Sequence, residues 1–366
     1  RPSSALSLRF PGREYDEGPY IEAVSGWCGA RSSQVSPPWP DGRSLLASLD
    51  RSRDLPDFPT GESLMRPLFD LAASKRIRVV LTGVGGDQWI TGSPFYYADL
   101  VRRGRWLTLA RVLRAADPDS ELAWTWREVV RTGLFPILPP IVRRAGRVVL
   151  RRHAVPRWID PAFARRIDLE ARLRAAALPP SRGGYARAAL RRLLRSGWET
   201  LTNELLERGA AWRSVEYRHP FHDRRLVEFA LALPEEQRRR GRYTKFVLRT
   251  AMRERMPEPV RLRISKVNLS EIYLRALGAL GGERAFERLS IAEAGWVDAG
   301  RLCAMYRDVL ARAARGDDGY GAAVVPLWMV LAIESWFRAV LAGERPDAAR
   351  STDGAGLPIP ASGRAE

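Results

Sequence analysis

The chain has 366 residues, 45% of them hydrophobic, which is enough to bury a globular core and excludes a fibrous or disordered protein. Its 60 Lys and Arg against 42 Asp and Glu give a net charge of +18, but the arginines are spread along the whole chain, so the charge does not read as a nucleic-acid or membrane footprint. Two distant cysteines, Cys28 and Cys303, form no disulfide framework, and no signal peptide or run of roughly 18 apolar residues occurs, which predicts a cytoplasmic protein.

In chain order, residues 1–30 read as a strand, a turn at Pro11-Gly12 and a helix carrying Tyr20, Ile21 and Val24, while residues 31–61, rich in Ser, Pro, Asp and Gly, read as loop. A helix over Glu62–Ser74 precedes a buried strand over Ile77–Leu81, an order that argues for a parallel α/β sheet. From Ala98 onward the apolar period is helical, recurring around 121–132, 185–195, 198–213 and 243–256. Ile141–Arg152 fits a half-buried basic helix. The apolar run Ala322–Ile333 contains Pro326 and stops at Glu334, too short for a bilayer, and residues 344–366 read as a disordered tail.

The most informative stretch is Val79 to Ser93, where a β-branched run feeds a glycine-rich turn ending in a carboxylate. Gly83, Gly85 and Gly86 have no Cβ to oppose positive φ, so successive backbone N–H groups can converge on phosphate oxygens, with Asp87 placed to hold Mg²⁺ against them. The same string also suits an ordinary turn.

Lysine occurs only at Lys75, Lys245 and Lys266 in an otherwise arginine-rich chain. An ammonium is compact where a guanidinium is broad and planar, so these positions point to sites that need a lysine; the alternative is a solvated residue. In Val215-Glu-Tyr-Arg-His-Pro-Phe-His-Asp223, Glu216 and Arg218 read either as pocket-lining residues or as a buried ion pair holding the Pro-Phe turn. His219 and His222 lack the further ligands of a zinc site, and Asp223 fits a helix cap.

The glycine loop, the Val-Glu-Tyr-Arg-His-Pro-Phe-His-Asp block, Lys245-Phe-Val-Leu-Arg249 and Arg263-Ile-Ser-Lys266 occur in this order. Together they resemble the synthetase domain of the asparagine synthetase family. The opening, with Ser7-Leu8-Arg9-Phe10 and then Tyr15-Asp16-Glu17 and Tyr20, resembles the strand and Asp-Glu helix that follow that family's pyrophosphate loop. The resemblance implies an α/β fold with a parallel sheet of the ATP pyrophosphatase (adenine nucleotide alpha hydrolase-like) type, followed by a large, mostly helical portion. It implies one domain over 1–343. The Ser-Gly-Gly-x-Asp-Ser loop and any glutaminase domain with its N-terminal cysteine are expected upstream of Arg1, and neither Cys28 nor Cys303 replaces that nucleophile.

By resemblance the chain is an ATP- and Mg²⁺-dependent ligase that activates a carboxylate as an acyl-adenylate for attack by an amine. Leu8, Gly83, Gly85, Gly86 and Lys245 are then ATP-binding, Asp87 binds metal, Lys266 and Glu216 are catalytic, and Arg218 and Val84 meet the substrate. Val84 stands where asparagine-forming relatives carry Glu and β-lactam-forming relatives carry Tyr, so the chain is most similar to lasso-peptide macrolactam cyclases of the family. Those imply a precursor peptide and leader-binding or protease partner proteins. Two other readings stay open at this point: a glutamine-hydrolysing asparagine synthetase, and a non-catalytic remnant that binds peptide or nucleic acid.

Overall fold

The computed structural model describes residues 4–114, 129–139, 141–142, 155–176, 183–240, 243–265 and 267–343. Strand β1 (Ser4–Leu8) pairs in parallel with β2 (Arg31–Val35), Leu8 opposite Val35, and α1 (Gly18–Cys28) crosses between them before Gly29, at φ 61°, ends it. The region expected to be loop is thus partly regular. It holds β2 and then α2 (Gly42–Ser52), whose start is fixed by a reciprocal cap: Asp41 accepts the Ser44 N–H at 2.6 Å and Ser44 Oγ accepts the Asp41 N–H at 3.2 Å.

Helix α3 (Glu62–Ser74) occupies the expected residues and leads into β3 (Val79–Leu81), which pairs in parallel with β4 (Glu216–Arg218), Val79 opposite Glu216 and Leu81 opposite Arg218. The parallel pairing that the element order argued for is present as two short pairs. Their inward residues Leu6, Val80 and Tyr217 join Phe69, Ala72, Ala210 and Val215 in one cluster. The expectation that β3 is buried is corrected: Val79 and Leu81 are 39% and 66% exposed. The physical reason is that α3 and the helix Gly197–Ala211 supply apolar residues to one face of the β3–β4 pair only.

Gly209 lets those two helices approach closely, since a Cβ there would lie 2.8 Å from Glu62 Cγ. The buried Glu62 carboxylate is shared by Arg66 at 3.0 Å and Arg213 at 3.1 Å, which satisfies a charge that would otherwise be costly to bury.

Helices α5 (Tyr96–Arg102) and α6 (Trp106–Arg114) form a second layer around Tyr96, Tyr97, Leu100 and Leu109. The largest core lies C-terminal, where Leu274, Leu302, Val309, Leu327 and Trp328 are buried together. Its central helix, Gly321–Trp336, continues as a π-turn to Leu341, so the helix runs on past Glu334, where the apolar run ends. Glu334 stays inside it because its carboxylate accepts the N–H groups of Ser290 at 2.9 Å and Ile291 at 3.0 Å. By length and composition Gly321–Leu341 is the one described helix able to cross a membrane, yet Val324, Leu327 and Trp328 are fully buried in this core. The tail 344–366 and most of the Ile141–Arg152 segment lie outside the described residues.

Candidate active site

The glycine loop leaves β3 at Thr82 and ends in a single helical turn, α4 (Gly86–Trp89). Gly85 sits at φ 97°, and a Cβ there would lie 2.3 Å from His222 Cδ2, so the position requires glycine on both backbone and contact grounds. The loop is internally bonded. The N–H groups of Val84, Gly85 and Gly86 donate to Thr82 Oγ1 at 3.3 Å, Gln88 Oε1 at 3.1 Å and Gly83 O at 3.2 Å.

Asp87 projects from this turn and is exposed, with Thr91 Oγ1 donating to its Oδ1 at 3.2 Å. Lys245 Nζ lies 3.2 Å from the same oxygen. Lys245 is not a solvated residue within a helix; it precedes the helix Phe246–Ala251 at φ 55°, a left-handed conformation that costs a non-glycine residue about 1–3 kcal/mol and concentrates at functional sites. Behind the pair, Trp89 and Ile90 from the loop, Phe221 from the block after β4, and Val247 and Leu248 after Lys245 share one apolar cluster. Three motifs far apart in the chain are thus packed into one corner.

The fourth motif is tied in from the other side. Arg249 bonds the carbonyls of Thr244 and Arg261, and Arg263 ion-pairs with Glu17 while its guanidinium lies 4.2 Å from the centre of the Tyr20 ring. Arg263 therefore packs against the start of α1, just after β1 and Leu8. In that loop Asp16 is gripped by Arg9 at 2.9 Å and accepts the Phe10 N–H at 2.8 Å, which holds its carboxyl below the usual carboxylate range. Lys266 itself lies outside the described residues.

Glu216 and Arg218 occupy the same face of β4 and form a 2.8 Å ion pair, both exposed, so the reading as a buried pair is corrected. Alternation along the strand turns Tyr217 into the core and leaves its two neighbours outside. Arg218 holds the Glu216 carboxyl below its ordinary value. Asp223 caps the helix Arg224–Ala232 as expected, its pKa lowered to about 2 by Arg225.

Sequence reasoning missed the supports of this corner. Asp99, buried, accepts the N–H groups of Tyr185 at 2.6 Å and Ala186 at 3.0 Å and so caps the helix Tyr185–Leu194. Glu235, buried beside Arg238, accepts the Ser93 N–H just after the glycine loop. The sequence signal for Asp99 is a carboxylate within an apolar stretch, whereas Glu235 opens the polar run Glu-Glu-Gln-Arg-Arg-Arg and carries none.

An exposed carboxylate on a tight loop fits the chemistry of Mg²⁺, which is held in nucleotide enzymes by one or two carboxylates together with substrate phosphates. With Lys245 alongside, the corner suits a polyanion bound with a divalent cation. Two cavities, about 580 Å³ beside Trp39 and α3 and about 870 Å³ beside Trp158 and Arg301, lie apart from it and include no glycine-loop residue.

The asparagine synthase family profile matches residues 1–338. The chain belongs to the asparagine synthase family. Membership supports an ATP-dependent ligase that forms carbon–nitrogen bonds, and the mixed α/β structure with small parallel sheets is consistent with that family's fold. No curated protein sequence matches the chain.

Proposed function

We propose that this protein activates a peptide side-chain carboxylate with ATP and closes it onto an amine of the same peptide, forming a macrolactam. The observation that carries the ATP-binding part is the packing of the glycine loop, the block after β4 and the Lys245 segment into one corner around the Asp87–Lys245 pair. Val84 supports the choice of amine. Asparagine-forming relatives carry a carboxylate at that loop position, and valine neither accepts nor donates a proton.

Asp87 would hold Mg²⁺ together with phosphate oxygens, and the bound Mg²⁺ would supply charge neutralisation as pyrophosphate departs. Gly83, Gly85 and Gly86 let the backbone approach the phosphates without a Cβ in the way, and Lys245 offers them a point charge. Leu8, at the end of β1, presents backbone groups to the adenine. The substrate carboxylate attacks the α-phosphorus and pyrophosphate leaves; the amine then attacks the acyl carbon and AMP leaves. Glu216, kept ionised by Arg218, takes the proton from the attacking amine, and Arg218 with Val84 lines the substrate side. Lys266 neutralises the developing oxyanion, an interaction stronger in the transition state than in the ground state. The precursor peptide is the partner this chemistry requires, with leader-binding and protease proteins as its associates.

The test is nucleotide analysis of the full-length protein given Mg²⁺-ATP and a peptide with an acidic side chain and a free N-terminus. AMP and pyrophosphate should appear only with peptide present, and Asp87→Asn should abolish most of both. Release of ADP and phosphate contradicts adenylation.

A further inference from the structure

We propose that His219, backed by Glu207, sets the conformation of the glycine loop through the Thr82 hydroxyl and is thereby a positioning residue for the ATP-dependent step. The inference rests on the reading of that loop as the phosphate-binding loop. Because Leu81 lies opposite Arg218, the next residues of each strand, Thr82 and His219, emerge side by side, and the Thr82 N–H still bonds Arg218 O at 3.0 Å. Thr82 Oγ1 is 2.5 Å from His219 Nδ1.

Thr82 Oγ1 accepts the Val84 N–H at 3.3 Å and has its own proton to give to Nδ1 when the ring carries its hydrogen on Nε2. That nitrogen is buried, and Glu207 Oε1 is 3.4 Å away, out of line for a full hydrogen bond but near enough to favour this tautomer by charge. Glu207 belongs to the helix Gly197–Ala211, which packs against β4.

The next amide of the loop is held in a parallel way. Gln88 Oε1 accepts the Gly85 N–H at 3.1 Å, and the Gln88 side chain bonds Glu199, a residue of that same helix whose carboxyl is pushed up by burial. Two consecutive loop amides are therefore aimed by side chains that are themselves fixed from one helix. With those amides engaged inside the loop, the two side chains fix the loop's backbone shape and with it how closely Gly83, Gly85 and Gly86 let a phosphate approach.

Thr82→Val removes the hydroxyl at nearly constant shape, Thr82→Ser keeps it, and His219→Leu removes the ring nitrogens while leaving Thr82 in place. Two readouts are taken on the full-length protein: hydrogen exchange of the Val84 and Gly85 amides, and kcat/KM for Mg²⁺-ATP in peptide-dependent AMP formation. His219→Leu should speed Val84 exchange, although the Thr82 acceptor remains. Thr82→Val and His219→Leu should each lower kcat/KM by about 10- to 100-fold, the range expected for a displaced binding loop, while Thr82→Ser stays within about threefold. Unchanged Val84 exchange in His219→Leu, or a Thr82→Ser loss equal to that of Thr82→Val, overturns the proposal. If the wild-type protein forms no AMP, the ATP reading falls and amide exchange alone decides the relay.

Discussion

Lys245 Nζ stands 3.2 Å from Asp87 Oδ1, joining the turn after β3 to the residue that opens the helix Phe246–Ala251. Both side chains are partly or largely exposed, so screening leaves such a pair worth less than about 1 kcal/mol. Its value to the protein therefore lies in placing a cation beside a carboxylate where a nucleotide's phosphates are proposed to sit. Lys245→Met should leave thermal stability almost unchanged while lowering ATP-dependent turnover roughly 100-fold, the usual scale for losing one charge-stabilising donor. Paired melting curves and AMP-release kinetics check this; a large drop in melting temperature with near-normal turnover contradicts it.

Gly85 offers a separate structural prediction. Gly85→Ala forces a side chain onto φ 97° and drives its Cβ toward the His222 ring. The backbone alone should cost about 1–3 kcal/mol. Adding His222→Ala should recover the part due to the ring but neither the backbone part nor the contact with Phe221 Cβ at 2.9 Å, so denaturant unfolding of the single and double variants separates the ring clash from the rest. Full recovery in the double variant contradicts a cost from the backbone.

The His222 ring is half-buried against Trp89 and near His219, with its Nε2 buried and unbonded, and burial followed by the neighbouring His219 pulls its pKa below the ordinary value. A lowered histidine pKa means that the unfolded chain takes up the proton first. Stability from this group is complete above the unfolded-state value of about 6.5 and is lost as pH falls through the folded value. Unfolding free energy measured from pH 7 to pH 5 should therefore decline, and His222→Leu should flatten the decline. Identical slopes in the two proteins contradict this.

The legible parts of the fold were those with local causes. Helix α3 is amphipathic from end to end and was placed residue for residue, and the Asp223 cap was read from its position before Arg224–Ala232. Strand β2, Arg-Ser-Ser-Gln-Val, carries almost no apolar residue and no clean alternation, so nothing in its composition marks it; only its pairing with β1 makes it a strand. The Asp41–Ser44 cap was visible in principle but hidden by Pro40 and Gly42, which suggest a turn. In the candidate site, each motif block was legible because its resemblance to the family lies within one short stretch of sequence. Glu207, His219 and Thr82 were not, because their relation depends on the register of β3 against β4, which no single stretch encodes.

Asp99 illustrates the same point with a measurable consequence. Its buried carboxylate satisfies two N–H groups at the start of Tyr185–Leu194, and Gly184, at φ 94°, leaves room for it. Asp99→Ala should destabilise the protein by about 1–3 kcal/mol, because the amides are left buried without a partner. Asp99→Asn, which keeps one acceptor oxygen, should lose less. Equal losses in urea titrations contradict the capping role.

The class of amide formed separates a macrolactam cyclase from an asparagine-forming enzyme. The direct measurement supplies the full-length protein and Mg²⁺-ATP with aspartate and ammonia in one reaction and with an acidic, N-terminally free precursor peptide in another, following both by mass spectrometry. AMP, pyrophosphate and a peptide lighter by one water should form, with little asparagine. Efficient asparagine formation and an unaltered peptide contradict the macrolactam reading and identify ammonia as the amine.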